Sequence, residues 1–171
     1  LIDPRLQGTP ALEAVETEAF ILRFPAESGI LPIYLAVQKP PVEVLEVGEY
    51  SELSKRSVKD GLDIDPIPSR KALEYDLKMK YPLISPKRIK AISDRGAAIA
   101  IPQHIHRQFS ETTGGRNTKE KQQLDGADLR AAVERNFAAL RPALIAEHHA
   151  AEALDEALKK LHETNMQKGF Y

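Results

Sequence analysis

Two stretches decide how this chain is read: GLDIDPIPSRKALEYDLKMK (61–80) and AAIAIPQHIHRQF (97–109). In the first, apolar Leu62 and Ile64 alternate with Asp63 and Asp65, the period-2 pattern of a strand with one face buried. Two prolines, Pro66 and Pro68, then end it in a turn. Ser69 stands where an N-cap is needed, and residues 70–80 follow as a helix containing Glu74. In the second stretch, Ala97–Pro102 is a continuous short apolar run, the mark of a buried strand, and residues 103–109 continue as a helix.

Working outward, Ser85 and Pro86 start a helix over residues 87–95 that Gly96 stops. Residues 110–118, SETTGGRNT, read as a loop. Asp128 or Asp125 caps the long helical run 129–165, which Pro142 kinks or divides; Leu154, Leu158 and Leu161 share one face of its last part. Towards the N-terminus, residues 1–18 read as helical or loosely ordered. EAFILRF (18–24) and LPIYLAVQ (31–38) read as two strands joined by a Pro-Ser-Gly turn. Residues 39–50 form a proline-stiffened connector with a short strand at VEVLEV, and the main boundary falls near Val47–Gly48. The expected class is α+β. An N-terminal β-hairpin segment occupies residues 1–47 and a mainly helical domain residues 48–171.

The chain contains no cysteine, which excludes disulfides, cysteine–zinc sites and a thiol nucleophile, so any metal must sit on His, Asp, Glu or Asn. No apolar run reaches the ~18 residues of a membrane span. The first residue is Leu1, and the chain reads as a fragment of a longer polypeptide. The net charge of −1 hides an uneven distribution. Residues 1–50 carry 3 basic and 8 acidic side chains, residues 51–121 carry 15 and 9, and residues 122–171 carry 6 and 8. A basic middle between acidic ends suits a polyanion-binding surface.

Within residues 21–41, ILRFPAESGILPIYLAVQKPP, the residues Arg23, Phe24, Pro25, Ser28, Gly29, Pro32 and Tyr34 match the RFP-x-x-SG-x-x-P-x-Y pattern. The segment resembles the S-type pyocin domain, which precedes the toxic domain in many bacteriocins and some type VI secretion effectors. From Gly48 onward, LDIDPIPSRKAL, IAIPQHIHRQFSETTGGRN and HETNMQKGFY resemble the C-terminal toxin domain of a polymorphic-toxin group. That group carries Asp-His-Ile-Pro-Ser, an Ala/Ile-rich strand, and then a His followed by Ser-x-Thr-x-Gly-Gly-Arg-Asn. The layout is similar to that of the HNH, or ββα-metal, nucleases.

The resemblance implies an antibacterial toxin that hydrolyses DNA with a divalent ion (Mg, Mn, Ni or Zn). It also implies a cognate immunity protein, release or injection from the producer, and action in the cytoplasm of the target bacterium. Phosphodiester hydrolysis needs a general base for water and a cation to stabilise the leaving oxygen. By position, Asp65 would be the strand ligand and His106 the helix ligand, with His104 as its rival. A helical spacing of two sets those two histidines on different faces. Arg116 and Asn117, behind Gly114 and Gly115, would meet a phosphate, as would Arg70 and Lys71. At the position of the family's base histidine this chain has Pro66, which offers no acid–base group. The implied enzyme is therefore one inactivated at a single residue. An RNase toxin and a non-catalytic immunity-binding module are the alternatives. His148, His149 and Glu152 read as a solvated helix face, and His162 and Glu163 as structural.

Overall fold

In the computed structural model, residues 19–22, 33–36 and 39–171 are described. The chain divides into two compact units, residues 1–40 and 41–171. In the first, β1 (Ala19–Leu22) and β2 (Ile33–Ala36) pair antiparallel, Ala19 opposite Ala36 and Leu22 opposite Ile33. The expected turn between them and the expected helical start at residues 1–18 lie outside the described residues.

The second unit is built on a three-stranded antiparallel sheet in the order β3-β5-β4. Its elements follow the chain as β3 (Val47–Glu49), α1 (Tyr50–Arg56), β4 (Leu62–Pro66), α2 (Arg70–Lys80) and α3 (Pro86–Ser93). Then come β5 (Ala97–Pro102), α4 (Gln103–Phe109), a 3-10 turn at Gly114–Arg116, α5 (Lys119–Ala127), α6 (Leu129–Ala146) and α7 (Ala151–Gln167). The class is α+β and mostly helical, as expected. Among the described residues, no helix is long and apolar enough to cross a membrane.

The apolar run 97–101 is explained by its central place, since β5 is covered on both faces. Ala97, Ile99 and Ile101 join Ile67, Ile105, Phe137, Leu140, Leu154 and Leu161 in the main core, and Ala98 and Ala100 pack with Val42 and Leu53. Burying a Leu, Ile or Phe side chain stabilises by about 1.5–3 kcal/mol each, so α6 and α7 are fixed chiefly by these contacts. A buried amide closes one end of the sheet. Asn165 Oδ1 accepts from Ala97 N–H at 3.0 Å while its Nδ2 donates to Ile67 C=O at 3.0 Å, which satisfies backbone groups at the ends of both strands.

Ser69 caps α2 and Ser85 caps α3, each through its side-chain oxygen. Of the two candidate caps for the long helix, Asp128 serves, accepting from Ala131 N–H at 2.9 Å. Asp125 instead lies inside α5, fully buried, with Lys121 at 2.8 Å, Arg135 at 3.0 Å and Asn136 at 3.2 Å. Pro142 does not divide the helical run. Buried Leu140 and Leu144 anchor α6 on both sides of it, and the break comes at residues 147–150, where His148 takes φ 67°. The strand expected at VEVLEV begins only at Val47, because a turn occupies residues 44–45. Residues 41–47, read as connector, belong to the second unit, since Leu45 N–H donates to Ala100 C=O at 2.8 Å. Neither α1 nor α5 was expected. α1 has only Leu53 fully buried, and α5 packs so closely on α2 that a Cβ on Gly126 would meet Tyr75 at 2.6 Å.

Candidate active site

β4 is an edge strand, and its register decides what the site contains. Asp65 lies opposite Ile99 and Asp63 opposite Ile101, so both acids point to the face on which α4 packs. Ile67 N–H donates to Ala97 C=O and Gln103 N–H to Gly61 C=O, each at 2.9 Å. Odd-numbered residues therefore bond to β5, and even-numbered ones turn their backbone outward. Pro66 fits here because its missing N–H falls on the open side of an edge strand.

α4 leaves β5 directly and carries His106 back onto β4. His106 Nδ1 lies 2.8 Å from Asp63 Oδ2. A carboxylate can only accept, so in the neutral ring Nδ1 holds the proton and Nε2 keeps a lone pair. Nε2 accepts from the Thr113 hydroxyl at 2.7 Å and stands 3.7 Å from Asp65 Oδ1. Asp63 is itself held by Gln103 Nε2, at 3.3 Å from its other oxygen. Asp65 is 1% exposed. Burial pushes its carboxyl up to about 6; the nearby His106 and hydrogen bonds from Ser110 and Thr112 oppose this, and the Asp63 charge adds to it. Thr112 donates to Asp65 Oδ1 at 3.4 Å.

Asp65 and His106 open into a cavity of about 530 Å³ whose wall includes Pro66, Arg70, Lys71, Lys90 and Asn117. Residues from both faces of β4 line it, which only an edge strand permits. Arg70 is set in place: its guanidinium lies 4.4 Å from the Tyr50 ring centroid and donates to Asp94 Oδ1 at 2.9 Å. Asp94 also takes Lys90 Nζ. Burial pushes the Asp94 carboxyl up, but the hydrogen bonds and charges of Lys90 and Arg70 outweigh it and leave the group below its usual range. Lys71 pairs with Glu74 at 2.9 Å. Asn117 Oδ1 is buried and has no hydrogen-bond partner among the described residues.

The structure thus gathers Asp65, Pro66, His106, Arg70, Lys71 and Asn117 around one cavity. It does not bring His104 or Arg116 there. His104 is exposed and bonds Glu147. Arg116 donates to the carbonyls of Gln108, at 2.8 Å, and Arg107, at 2.5 Å, at the end of α4. Its fork satisfies a helix C-terminus, so it acts on the fold. His148 and His149 fall in the break between α6 and α7, off any helix face. His162 bonds Tyr171 Oη at 2.8 Å and Glu134 at 2.7 Å, holding the C-terminal residue against α6.

Asp63, Thr112, Thr113 and Lys90 were not singled out from the sequence. Asp63 carried a usable signal, because residues two apart on a strand share a face.

Among the described residues, no group of three or more His, Asp or Glu is placed to hold a metal ion. Asp65 and His106 offer two donors 3.7 Å apart. Two ligands at about 2.0–2.2 Å from one ion sit roughly 3.3–3.6 Å from each other in a tetrahedral shell and roughly 2.8–3.1 Å when adjacent in an octahedral one, so the pair at 3.7 Å must draw slightly together to share an ion. The orphaned Asn117 oxygen at the same wall is a further neutral donor, and Mg²⁺ in particular takes few protein ligands and completes its shell with water and phosphate.

No family model and no solved structure matches the chain. Over 133 residues, 75% of the chain, it is 38% identical to a segment of "Deoxyribonuclease CdiA" from Dickeya dadantii (strain 3937). That segment is 4% of the relative's length, so the chain spans only a small part of the protein it matches.

Proposed function

We propose that this chain is the nuclease segment of a larger antibacterial toxin, cutting DNA phosphodiester bonds in the cytoplasm of a competing bacterium. The observation that carries the reading is the meeting of Asp65 and His106 at 3.7 Å in a cavity ringed by Arg70, Lys71 and Lys90. The similarity to a segment of a protein named a deoxyribonuclease supports DNA as the substrate. A cognate immunity protein, presenting acid to the basic zone, is the partner such a toxin requires.

In this mechanism Arg70 and the two lysines hold the phosphodiester. Arg70 enters pre-ordered by Tyr50 and Asp94, so little side-chain entropy is lost on binding. Asp63 fixes the His106 tautomer and directs the Nε2 lone pair at the cavity, the usual arrangement behind a ligating or basic imidazole. Asp65, His106 and the Asn117 oxygen would hold a divalent ion once Thr113 releases Nε2. When bound, such an ion supplies charge stabilisation for the phosphorane and its leaving oxygen. The β4–β5–α4 order is compatible with a ββα-metal core carrying α2 and α3 as an insertion between its strands. Pro66 lines the cavity but can take no proton, so with His106 given over to the ion the chain as it stands has no second imidazole beside Asp65 to serve as base. Plasmid nicking by the Pro66→His variant with Mg²⁺ or Mn²⁺, abolished by EDTA and by His106→Ala, tests this. Absence of any cleavage by that variant sinks the DNA reading.

A second reading has its own support. A histidine oriented by one carboxylate, next to a second carboxyl pushed up to about 6, is an acid–base pair. Such a pair cleaves RNA through the ribose 2′-hydroxyl with no ion. Cleavage of RNA by the unchanged chain in EDTA would establish that reading in place of the first.

A further inference from the structure

Next to the cavity of Asp65 lies a second one of about 570 Å³, and the two share Tyr50, Ile64 and His106 as common wall. They follow one another along the outer edge of β4, the second beside Gly61–Ile64 and the first beside Ile64–Pro66. Five strand residues cover about 16 Å, so together they make a trough longer than one nucleotide with His106 at its waist. The chemistry of the second cavity suits a sugar–phosphate chain. Ser54 and Ser57 bring hydroxyls and Lys59 an exposed ammonium, while the acid present, Asp63, has its oxygens engaged by His106 and Gln103. Tyr50 stands at the junction with Arg70 against its ring, and an aromatic ring offers a base a stacking surface.

We infer that this second cavity is a subsite for the nucleotide adjoining the scissile phosphate, so that one DNA strand runs along the open edge of β4, with Lys59 contacting its next phosphate. The inference rests on the nuclease reading and adds a strand path to it. A trough wrapped around a single strand edge has room for one backbone, so the local substrate is a strand drawn away from its complement.

The test uses the whole chain and a short fluorescently labelled oligothymidylate, with binding measured by anisotropy across a salt series. On a single strand the slope of log K against log salt is negative, and each phosphate that a side chain ceases to neutralise lowers its magnitude by about 0.7. Lys59→Gln is expected to lower that magnitude by the same amount, as is Lys71→Gln, while Lys159→Gln, on the exposed face of α7, is expected to leave it unchanged. Amide resonances of Ser54, Ser57 and Gly61 should shift with the oligonucleotide alongside those near Asp65. If Lys71→Gln lowers the magnitude of the slope while Lys59→Gln does not, and the shifts stay on the Asp65 side, the subsite is refuted and the nuclease reading stands. If the strand does not bind at all, both fall together.

Discussion

Replacing Asp65 by Asn should make the protein more stable at neutral pH and, in the Pro66→His background, abolish the restored cleavage. The carboxyl is 1% exposed, and burial is the largest influence on it, taking it from 3.8 to about 6. The folded state therefore holds this proton more tightly than the unfolded chain does. Between pH 4 and pH 6 the native state binds more protons, so stability contributed at this position falls as pH rises through that window. The gap of about 2 pH units corresponds to roughly 3 kcal/mol, at about 1.36 kcal/mol per unit. Asparagine keeps an oxygen for the Thr112 and Ser110 hydroxyls and never ionises. Guanidinium unfolding of both proteins from pH 3.5 to 8 is the assay. Near pH 3.5 the two curves should nearly coincide, and by pH 8 the Asp65→Asn variant should be ahead by about 3 kcal/mol. A constant difference across the series, or a less stable variant at pH 8, would show that Asp65 is satisfied as an anion and that the burial argument is wrong.

Other outcomes follow from the same geometry. Pro66→His should raise DNA nicking by about 10²–10⁴, the usual worth of a positioned base, as read on supercoiled plasmid. If the unchanged chain cuts as fast, the base lies elsewhere. His106→Ala should abolish that restored activity, whereas His104→Ala, which removes only an exposed contact to Glu147, should leave it within about twofold in a plasmid assay. Asp63→Asn in the Pro66→His background should alter the pH–rate profile and lower metal affinity by about 10–100-fold, measured by titration calorimetry; an unchanged profile would reduce Asp63 to packing. Arg116→Ala should cost about 1–2 kcal/mol in denaturant unfolding, because two carbonyls at the end of α4 lose a charged donor.

Much of the site was legible because it depends on local pattern. The alternation of Leu62 and Ile64 with Asp63 and Asp65, the Ser69 cap and the apolar run 97–101 each act over a few residues. Asp65 and His106 could be named from a motif. Their meeting could not, since it needs β4 and β5 paired in one register and α4 folded back across them. Arg116 shows the opposite limit. Its motif suggested a phosphate, but its fork found the carbonyls of its own helix first. Pro142 looked like a helix breaker, yet α6 runs past it because buried leucines hold both flanks.

By itself the sequence determined β4, β5 and the helices that follow them, the α+β class, the absence of thiol chemistry and the presence at residue 66 of a proline, which has no acid–base group. These follow from side-chain period, capping chemistry and composition, which need no partner distant in the chain. Tertiary structure alone decided that Asp63 orients His106, that Asp65 is buried and its proton held, and that Arg70 is pinned by Tyr50 and Asp94. It also decided that the cavity wraps an edge strand. Each of these joins groups 20 or more residues apart, Asp63 and Asp65 with His106 in α4, and Arg70 with Tyr50 and Asp94. Such distances are closed only when the sheet register brings the elements together and the core holds them there.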